Sequence, residues 1–263
     1  MGALVPPPRT FDTLSRSLAW DGCFNVRDLG GLETAAGGRT RRGAVVRADN
    51  VRGLSAAGWQ AAFDHGVRRL VDLRFEGEGP GEPSPPEGVE VVGVSLFGQH
   101  DLEVARAFEE RMRNEDDVAS VWAAGYIDTL ENSPERVATA VAAVSDTDHA
   151  DGVVIHCFAG KDRTGIVSAL LLGVADVPDE VIAADYEESG PNVKLLFGDW
   201  LATADTEAEL ELRQRLVQAP AETMVAVLAW LRESVGGAAG YLRQAGLTDA
   251  QIARLRTRLL EPA

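Results

Sequence analysis

The sequence predicts an α/β fold: a central, largely parallel sheet flanked by helices, with a helical C-terminal third. Short apolar runs of strand length alternate with segments of helical period as far as residue 155. One of these runs, Val153-Val154-Ile155, leads through a tight glycine-containing loop into a second apolar run, Ile166 to Leu172. That order is a buried strand, a loop at its carboxyl end, and a helix N-terminus. Beyond the second run the chain reads helical to its end.

Taken in order, residues 1–20 read as a loosely held N-terminal arm and 21–263 as a single domain. Ala44–Arg47 is a short strand. Ser55–Gly66 is a helix, with Ser55 as N-cap and Gly66 as the stop. Arg68–Leu73 is a strand. Glu76–Gly88 carries four glycines and four prolines and is a loop; following a strand end, it is expected to border the active site. Val89–Leu96 is a further strand. Residues 101–131 are helical and heavily charged, and Pro134–Val144 is a helix feeding the strand at Val153–Ile155. After the loop comes a buried helix, Thr164–Val174. Residues 179–188, 193–217 with breaks, 220–235, 237–245 and 248–260 complete the helical third.

The ten residues His156-Cys157-Phe158-Ala159-Gly160-Lys161-Asp162-Arg163-Thr164-Gly165 carry the chemistry. A loop between strand and helix collects backbone N–H groups and aims them at one spot, which suits an oxyanion. The phosphate-binding set is therefore Phe158, Ala159, Gly160, Lys161, Asp162 and Arg163. Cys157 opens the loop and Arg163 closes it, with five residues between. The thiolate is the nucleophilic form of cysteine, and a helix N-terminus with nearby cations favours it. Arg163 can grip two phosphoryl oxygens with one fork. Thr164 can place a hydroxyl near the sulfur and ease its departure. Asp162 can donate a proton to the leaving oxygen. The competing reading, a buried structural cysteine in a glycine turn, requires all these residues to coincide by chance.

His-Cys-(five residues)-Arg-Thr-Gly resembles the cysteine-dependent protein tyrosine phosphatase superfamily. The full string is similar to a bacterial branch of tyrosine and dual-specificity phosphatases that also hydrolyse phosphoinositides. Asn25-Val26-Arg27-Asp28-Leu29-Gly30-Gly31 is similar to the N-F-R-D-L-G-G string of that branch, with Val26 in place of Phe. Val71-Asp72-Leu73-Arg74, Ala184-Asp185-Tyr186, and Tyr241-Leu242 with Gly246-Leu247-Thr248 follow in the same order, so the resemblance spans residues 20–260. It implies phosphate monoester hydrolysis through a phosphocysteine intermediate. Phosphotyrosine is the expected substrate, with phosphoserine, phosphothreonine and phosphoinositides as further candidates. It also implies helical lid segments, for which 97–125 and 189–217 are the candidates against a plain reading as solvated helices.

The general acid is open between two aspartates. Asp162 stands first, because the resembling branch has an aspartate there. Asp72 stands second, as a strand end near the loop, against the alternative that it pairs with Arg74. No Trp-Pro-Asp string occurs. Asn25, Arg27 and Asp28 read as a hydrogen-bonded scaffold, and His156 as a brace for the loop. Arg39, Arg41, Arg42, Arg47 and Arg52 are candidates for a second phosphate site, with a solvated turn as the default. Lys161 suits a polyanionic head group. Cys23 is either an inert thiol or a redox partner of Cys157.

Composition narrows the partners. The 263 residues are 45% hydrophobic and 25% charged, enough for a core in one large domain. A net charge of −16 argues against broad contact with nucleic acid or anionic lipid. It leaves room for a phosphorylated protein or phosphoinositide in a locally positive pocket. Two cysteines make no disulfide framework, and four scattered histidines give no metal-ligand pair, so no cofactor is expected. No apolar run reaches membrane-spanning length, and the first residues lack the basic and apolar regions of a secretory signal. Pro6 stands where N-myristoylation wants Ser or Thr. The expectation is a cytoplasmic protein without stable membrane insertion, with secretion lacking a cleaved signal still open. Oligomeric state leaves no trace in the sequence.

Two other functions compete with the hydrolase. One is a silent phosphate-binding module, disfavoured because Cys157, Asp162, Arg163 and Thr164 are all present. The other is a rhodanese-like sulfurtransferase, whose loop also opens on cysteine but rarely carries Gly-Lys-Asp-Arg-Thr-Gly. A nucleotide-binding loop is ruled out, because Asp162 follows Lys161 where Ser or Thr is needed for magnesium.

Overall fold

The computed structural model describes residues 15–78, 85–99, 101–146 and 151–262. Five strands form one sheet in the order β1-β2-β5-β3-β4: β1 Arg27–Asp28, β2 Val45–Ala48, β3 Val67–Asp72, β4 Glu90–Gly93 and β5 Gly152–His156. β2, β5, β3 and β4 run parallel, and only the two-residue β1 pairs antiparallel, on β2. The alternation of the strands sorts their side chains between two cores. Val45, Val71, Val153 and Ile155 face the larger one; Val46, Leu70 and Val154 face the smaller one with Trp20, Leu54 and Trp59.

The smaller core lies under α1 (Ala56–Asp64), which starts where expected: Ser55 Oγ accepts the Gly58 N–H at 3.2 Å. The larger core lies under α4 (Pro134–Ser145) and α5 (Asp162–Val174). Around them stand α3 (Val118–Asn132), α6 (Asp179–Glu187), α10 (Ala221–Val235), α11 (Gly237–Gln244) and α12 (Asp249–Leu259). α5 is buried along nearly its whole length and is the hub of this layer. The outer helices are α2 (Leu102–Asn114), α7 (Ser189–Leu196), α8 (Gly198–Ala202) and α9 (Glu207–Leu216).

Several boundaries differ from those expected. α5 begins at Asp162 rather than Thr164, which brings Asp162 and Arg163 into its first turn. The strand expected over Val89–Leu96 is Glu90–Gly93; beyond it Val94 and Leu96 still donate to the Asp72 and Leu73 carbonyls before the turn at Gly98, φ +78°. The charged stretch 101–131 is two helices, and Asp117 of its acidic run caps the second by accepting the Ser120 N–H at 3.1 Å. Of the arm expected over 1–20, residues 15–20 are fastened rather than loose. Arg16 pairs with Asp185 at 2.6 Å, and Trp20 is buried. Residues 1–14 lie outside the described residues, as do 79–84 of the Pro/Gly-rich loop.

Candidate active site

Cys157 sits at the carboxyl end of β5, the middle strand, and is buried at the floor of its loop. The scaffold around the loop explains the loop's shape. Every carbonyl from Cys157 to Lys161 is claimed from outside or below. The Cys157 carbonyl lies 3.4 Å from His156 Nδ1. The Phe158 carbonyl accepts the Asn50 N–H at 3.1 Å, and that of Ala159 accepts Asn25 Nδ2 at 3.0 Å. Gly160 accepts from Arg47 and Lys161 from the Gly165 N–H, each at 2.8 Å. A peptide unit points its N–H opposite to its C=O. Carbonyls turned outward therefore turn the following N–H groups inward, toward the space above Cys157. The amides of residues 158–161 make no hydrogen bond among the described residues, which leaves them for an anion.

Gly160 makes the turn possible. Its φ is +68°, and a Cβ there would stand 2.6 Å from the Ala48 carbonyl oxygen and the Asp49 nitrogen.

The scaffold was legible as the Asn25–Gly31 block, but its centre is a residue outside it. Asp185 on α6 accepts from Arg16 and Arg47, each at 2.6 Å, and from Arg27 Nε at 3.1 Å. Arg27 also donates to Asn25 Oδ1 at 2.7 Å, which aims the Asn25 amide at the loop. Burial alone would raise the Asp185 carboxyl, but the arginines outweigh it and hold it far below the ordinary range. Burial lowers Arg27 to about 10. Asp28 turns the other way, taking the Gly30 and Gly43 N–H groups and His65.

The five arginines expected to gather a second phosphate do not form one patch. Arg47 is spent on Asp185 and Gly160, Arg39 pairs with Glu33 at 2.6 Å, Arg41 reaches the Arg258 carbonyl and Arg42 that of Ser15. These four arginines are each held by a partner within the chain, a pairing that sequence spacing does not reveal.

Arg163 stands at the rim with its fork closed on a carboxylate. Its two terminal nitrogens meet Glu78 at 2.5 and 2.7 Å. Phe75 and Phe97 flank the guanidinium, 5.2 and 5.4 Å away. Burial alone would raise the Glu78 carboxyl, but Arg163 and the Phe75 N–H hold it below its ordinary value. Glu78 was missed in the sequence; its only signal was its place on the loop after Asp72-Leu73-Arg74.

The two candidate acids have different surroundings. Asp72 is clamped by Arg74 at 3.0 and 2.9 Å, with His156 Nε2 at 3.7 Å. Burial would raise it, but Arg74 wins and its carboxyl is lowered. Asp72 is thus paired with Arg74, the alternative open to it in the sequence. Burial pushes His156 down to about 4, and its Nδ1 lies 3.4 Å from the Cys157 carbonyl. Asp162 is partly exposed and receives two donors on Oδ1: Tyr126 Oη at 2.5 Å and Lys161 Nζ at 2.6 Å. Lys161 is not presented to solvent for a polyanionic group. Its side chain is buried, with Nζ 3.3 Å above the Trp122 ring. Thr164 Oγ1 is buried without a partner among the described residues. Cys23 is a free thiol donating to the Asn50 carbonyl at 3.5 Å, and burial with Asp49 nearby raises its pKa.

On the other side of the loop, Phe158 stacks on Phe197 at 6.0 Å, and Phe197 meets Trp200 at 5.5 Å. Ala159 packs with Val193 and Val217. The segment 189–217 thus rests directly on the loop. It touches the 97–125 segment where Arg215 donates to the Glu115 carbonyl. Among the described residues no group of His, Cys, Asp and Glu could hold a metal ion, and no helix is long and apolar enough to cross a membrane.

The chain compares with known proteins over nearly its whole length. It is 28% identical to the Triple specificity protein phosphatase PtpB of Mycobacterium tuberculosis, over 91% of this chain and 97% of that one. It is 29% identical to a tyrosine-protein phosphatase of Nostoc commune, over 82% and 74%. It is 34% identical to a candidate tyrosine-protein phosphatase of Cupriavidus necator, over 65% of this chain and only 62% of that protein's length. A model of the tyrosine phosphatase family matches residues 18–261. The chain belongs to the tyrosine phosphatase family, enzymes that hydrolyse phosphate monoesters through a phosphocysteine intermediate.

Proposed function

We propose that Cys157 is the nucleophile and that phosphotyrosine is the foremost substrate. The observation that carries this reading is the outward tie of five consecutive carbonyls. It leaves a ring of amides over a buried cysteine with no acceptor among the described residues. A phosphoryl group in that ring draws Arg163 off Glu78 and onto two of its oxygens. The Cys157 thiolate attacks phosphorus, the bond to the leaving oxygen breaks, and Asp162 gives that oxygen its proton. Water then attacks the phosphocysteine. Asp162, now ionised, takes the water's proton, and sulfur leaves as thiolate with the Thr164 hydroxyl donating to it.

Aromatic side chains on both sides of the loop favour an aryl phosphate: Phe75 and Phe97 beside Arg163, Phe158 and Phe197 opposite. Residues 97–125 and 189–217 are the walls that set pocket depth, and with it the access of the shorter phosphoserine. The test is phosphate release across phosphotyrosine peptides, phosphoserine peptides and phosphoinositides. Phosphotyrosine is expected to be turned over fastest, without added metal. Vanadate binding without release from any of them would indicate a silent phosphate-binding module. A persulfide on Cys157 would indicate a sulfurtransferase.

A further inference from the structure

We infer that Tyr126 is a positioning residue of the reaction. Together with Lys161 it saturates Oδ1 of Asp162, so that the proton exchanged with the leaving oxygen is confined to Oδ2. This rests on the reading of Asp162 as the general acid.

The argument starts from donor and acceptor capacity. A carboxylate oxygen has two lone-pair sites. Oδ1 receives Tyr126 Oη at 2.5 Å and Lys161 Nζ at 2.6 Å, which fills both. A proton placed on Oδ1 would evict one donor, whereas a proton on Oδ2 leaves both bonds intact. Both donors are themselves fixed. Tyr126 is buried between Trp122 and Tyr186, with ring centroids at 5.7 and 6.0 Å. Lys161 is pinned over Trp122.

The direction of the hydroxyl chain follows. Tyr126 has one hydroxyl proton, and ionised Asp162 can only accept, so that proton goes to Oδ1. Tyr186 Oη, 2.8 Å from Tyr126 Oη, is then the donor to Tyr126. The line Tyr186 to Tyr126 to Asp162 runs from α6 through α3 to the first turn of α5. Burial and the Asp162 charge raise Tyr126 well above the ordinary range, so it serves as a donor and not as an exchangeable acid.

The charged and titratable groups facing Asp162 are Tyr126, Tyr186, Lys161, Arg163 and Cys157. Lys161 and Arg163 are cationic, and Tyr126 donates directly to the carboxylate. Removing the Tyr126 hydroxyl takes one of the two donors from Oδ1 of ionised Asp162, so the variant is expected to hold the acid's proton to higher pH. Because the acid acts protonated, the alkaline limb of kcat/KM moves to higher pH.

The experiment compares wild type, Tyr126→Phe, Tyr186→Phe and Asp162→Asn as full chains. It records pH profiles with a phosphotyrosine peptide and with nitrophenyl phosphate. It also titrates 13C-labelled aspartate by NMR, with the Asp162 signal identified by its loss in Asp162→Asn. Tyr126→Phe is expected to raise the Asp162 midpoint and the peptide's alkaline limb by about one pH unit, as a hydrogen bond to a charge requires. Nitrophenyl phosphate, with its good leaving group, should change little. Tyr186→Phe should shift the same way by less, and carries the test if Tyr126→Phe does not fold. An unmoved midpoint and limb in both Tyr variants would overturn the inference while leaving the acid in place. An alkaline limb that survives in Asp162→Asn would overturn the acid assignment, and the inference with it.

Discussion

Glu78 closes the fork of Arg163: one carboxylate meets both terminal guanidinium nitrogens, at 2.5 and 2.7 Å. This is the geometry in which the same fork would hold two phosphoryl oxygens, so Glu78 and an oxyanion compete for Arg163.

Glu78→Gln should therefore strengthen vanadate binding at neutral pH, by about tenfold, the scale of one charge-assisted hydrogen bond. Isothermal titration checks it. The sign with pH follows from the lowered Glu78 carboxyl. Its pairing is present above the ordinary glutamate value and is lost as pH falls through the lower folded value. The advantage of the variant should shrink over that acid range. Weaker vanadate binding at neutral pH would make Glu78 a brace for Arg163 rather than its competitor.

Asp185→Asn should act on stability and site together. It leaves Arg27 and Arg47 buried without their counter-charge, a loss of about 3–5 kcal/mol in comparable cases. The folded Asp185 carboxyl lies well below its unfolded value. Its stabilisation is thus complete above about pH 4 and fades only as pH falls toward the folded value. Thermal melts from neutral to strongly acid pH should show the gap between variant and wild type narrowing at the acid end. Vanadate affinity should fall too, since Arg47 holds the Gly160 carbonyl.

Gly160→Ala should cost activity more than stability. The positive φ and the 2.6 Å approach of Ala48 and Asp49 force the loop to shift, and with it the amides that face the phosphoryl group. A kcat loss of about a hundredfold is expected, comparable to removing one oxyanion donor. Steady-state kinetics beside a melting curve checks it. Gly98→Ala, a positive-φ site on the chain leaving β4, should leave the loop amides in place.

The loop from Cys157 to Arg163 and the Asn25–Gly31 block could be placed because they are contiguous strings flanked by clear strand and helix signals. Strand and helix positions could be read because the valine runs and the capping Ser55 carry local signals. Partners distant in sequence could not be read. Glu78 and Arg163 are 85 positions apart, and Asp185 is 158 from Arg27, so nothing local announces either pair. The same limit made Arg47 look like part of a surface cluster. Its burial follows from its place on β2, beside the middle strand. Asp72 shows the converse: its partner Arg74 is two residues away, and the pairing was visible as an alternative.

The central claim is that phosphorus passes through Cys157. Asp162→Asn with nitrophenyl phosphate isolates this step. The good leaving group needs no acid in the first half, while the second half lacks its base. Rapid-quench kinetics should show a stoichiometric burst of nitrophenol. Mass spectrometry of the quenched protein should find phosphate on the Cys157 peptide, and Cys157→Ser should show neither signal while still binding vanadate. No burst and no adduct, or turnover surviving in Cys157→Ser, would contradict the account.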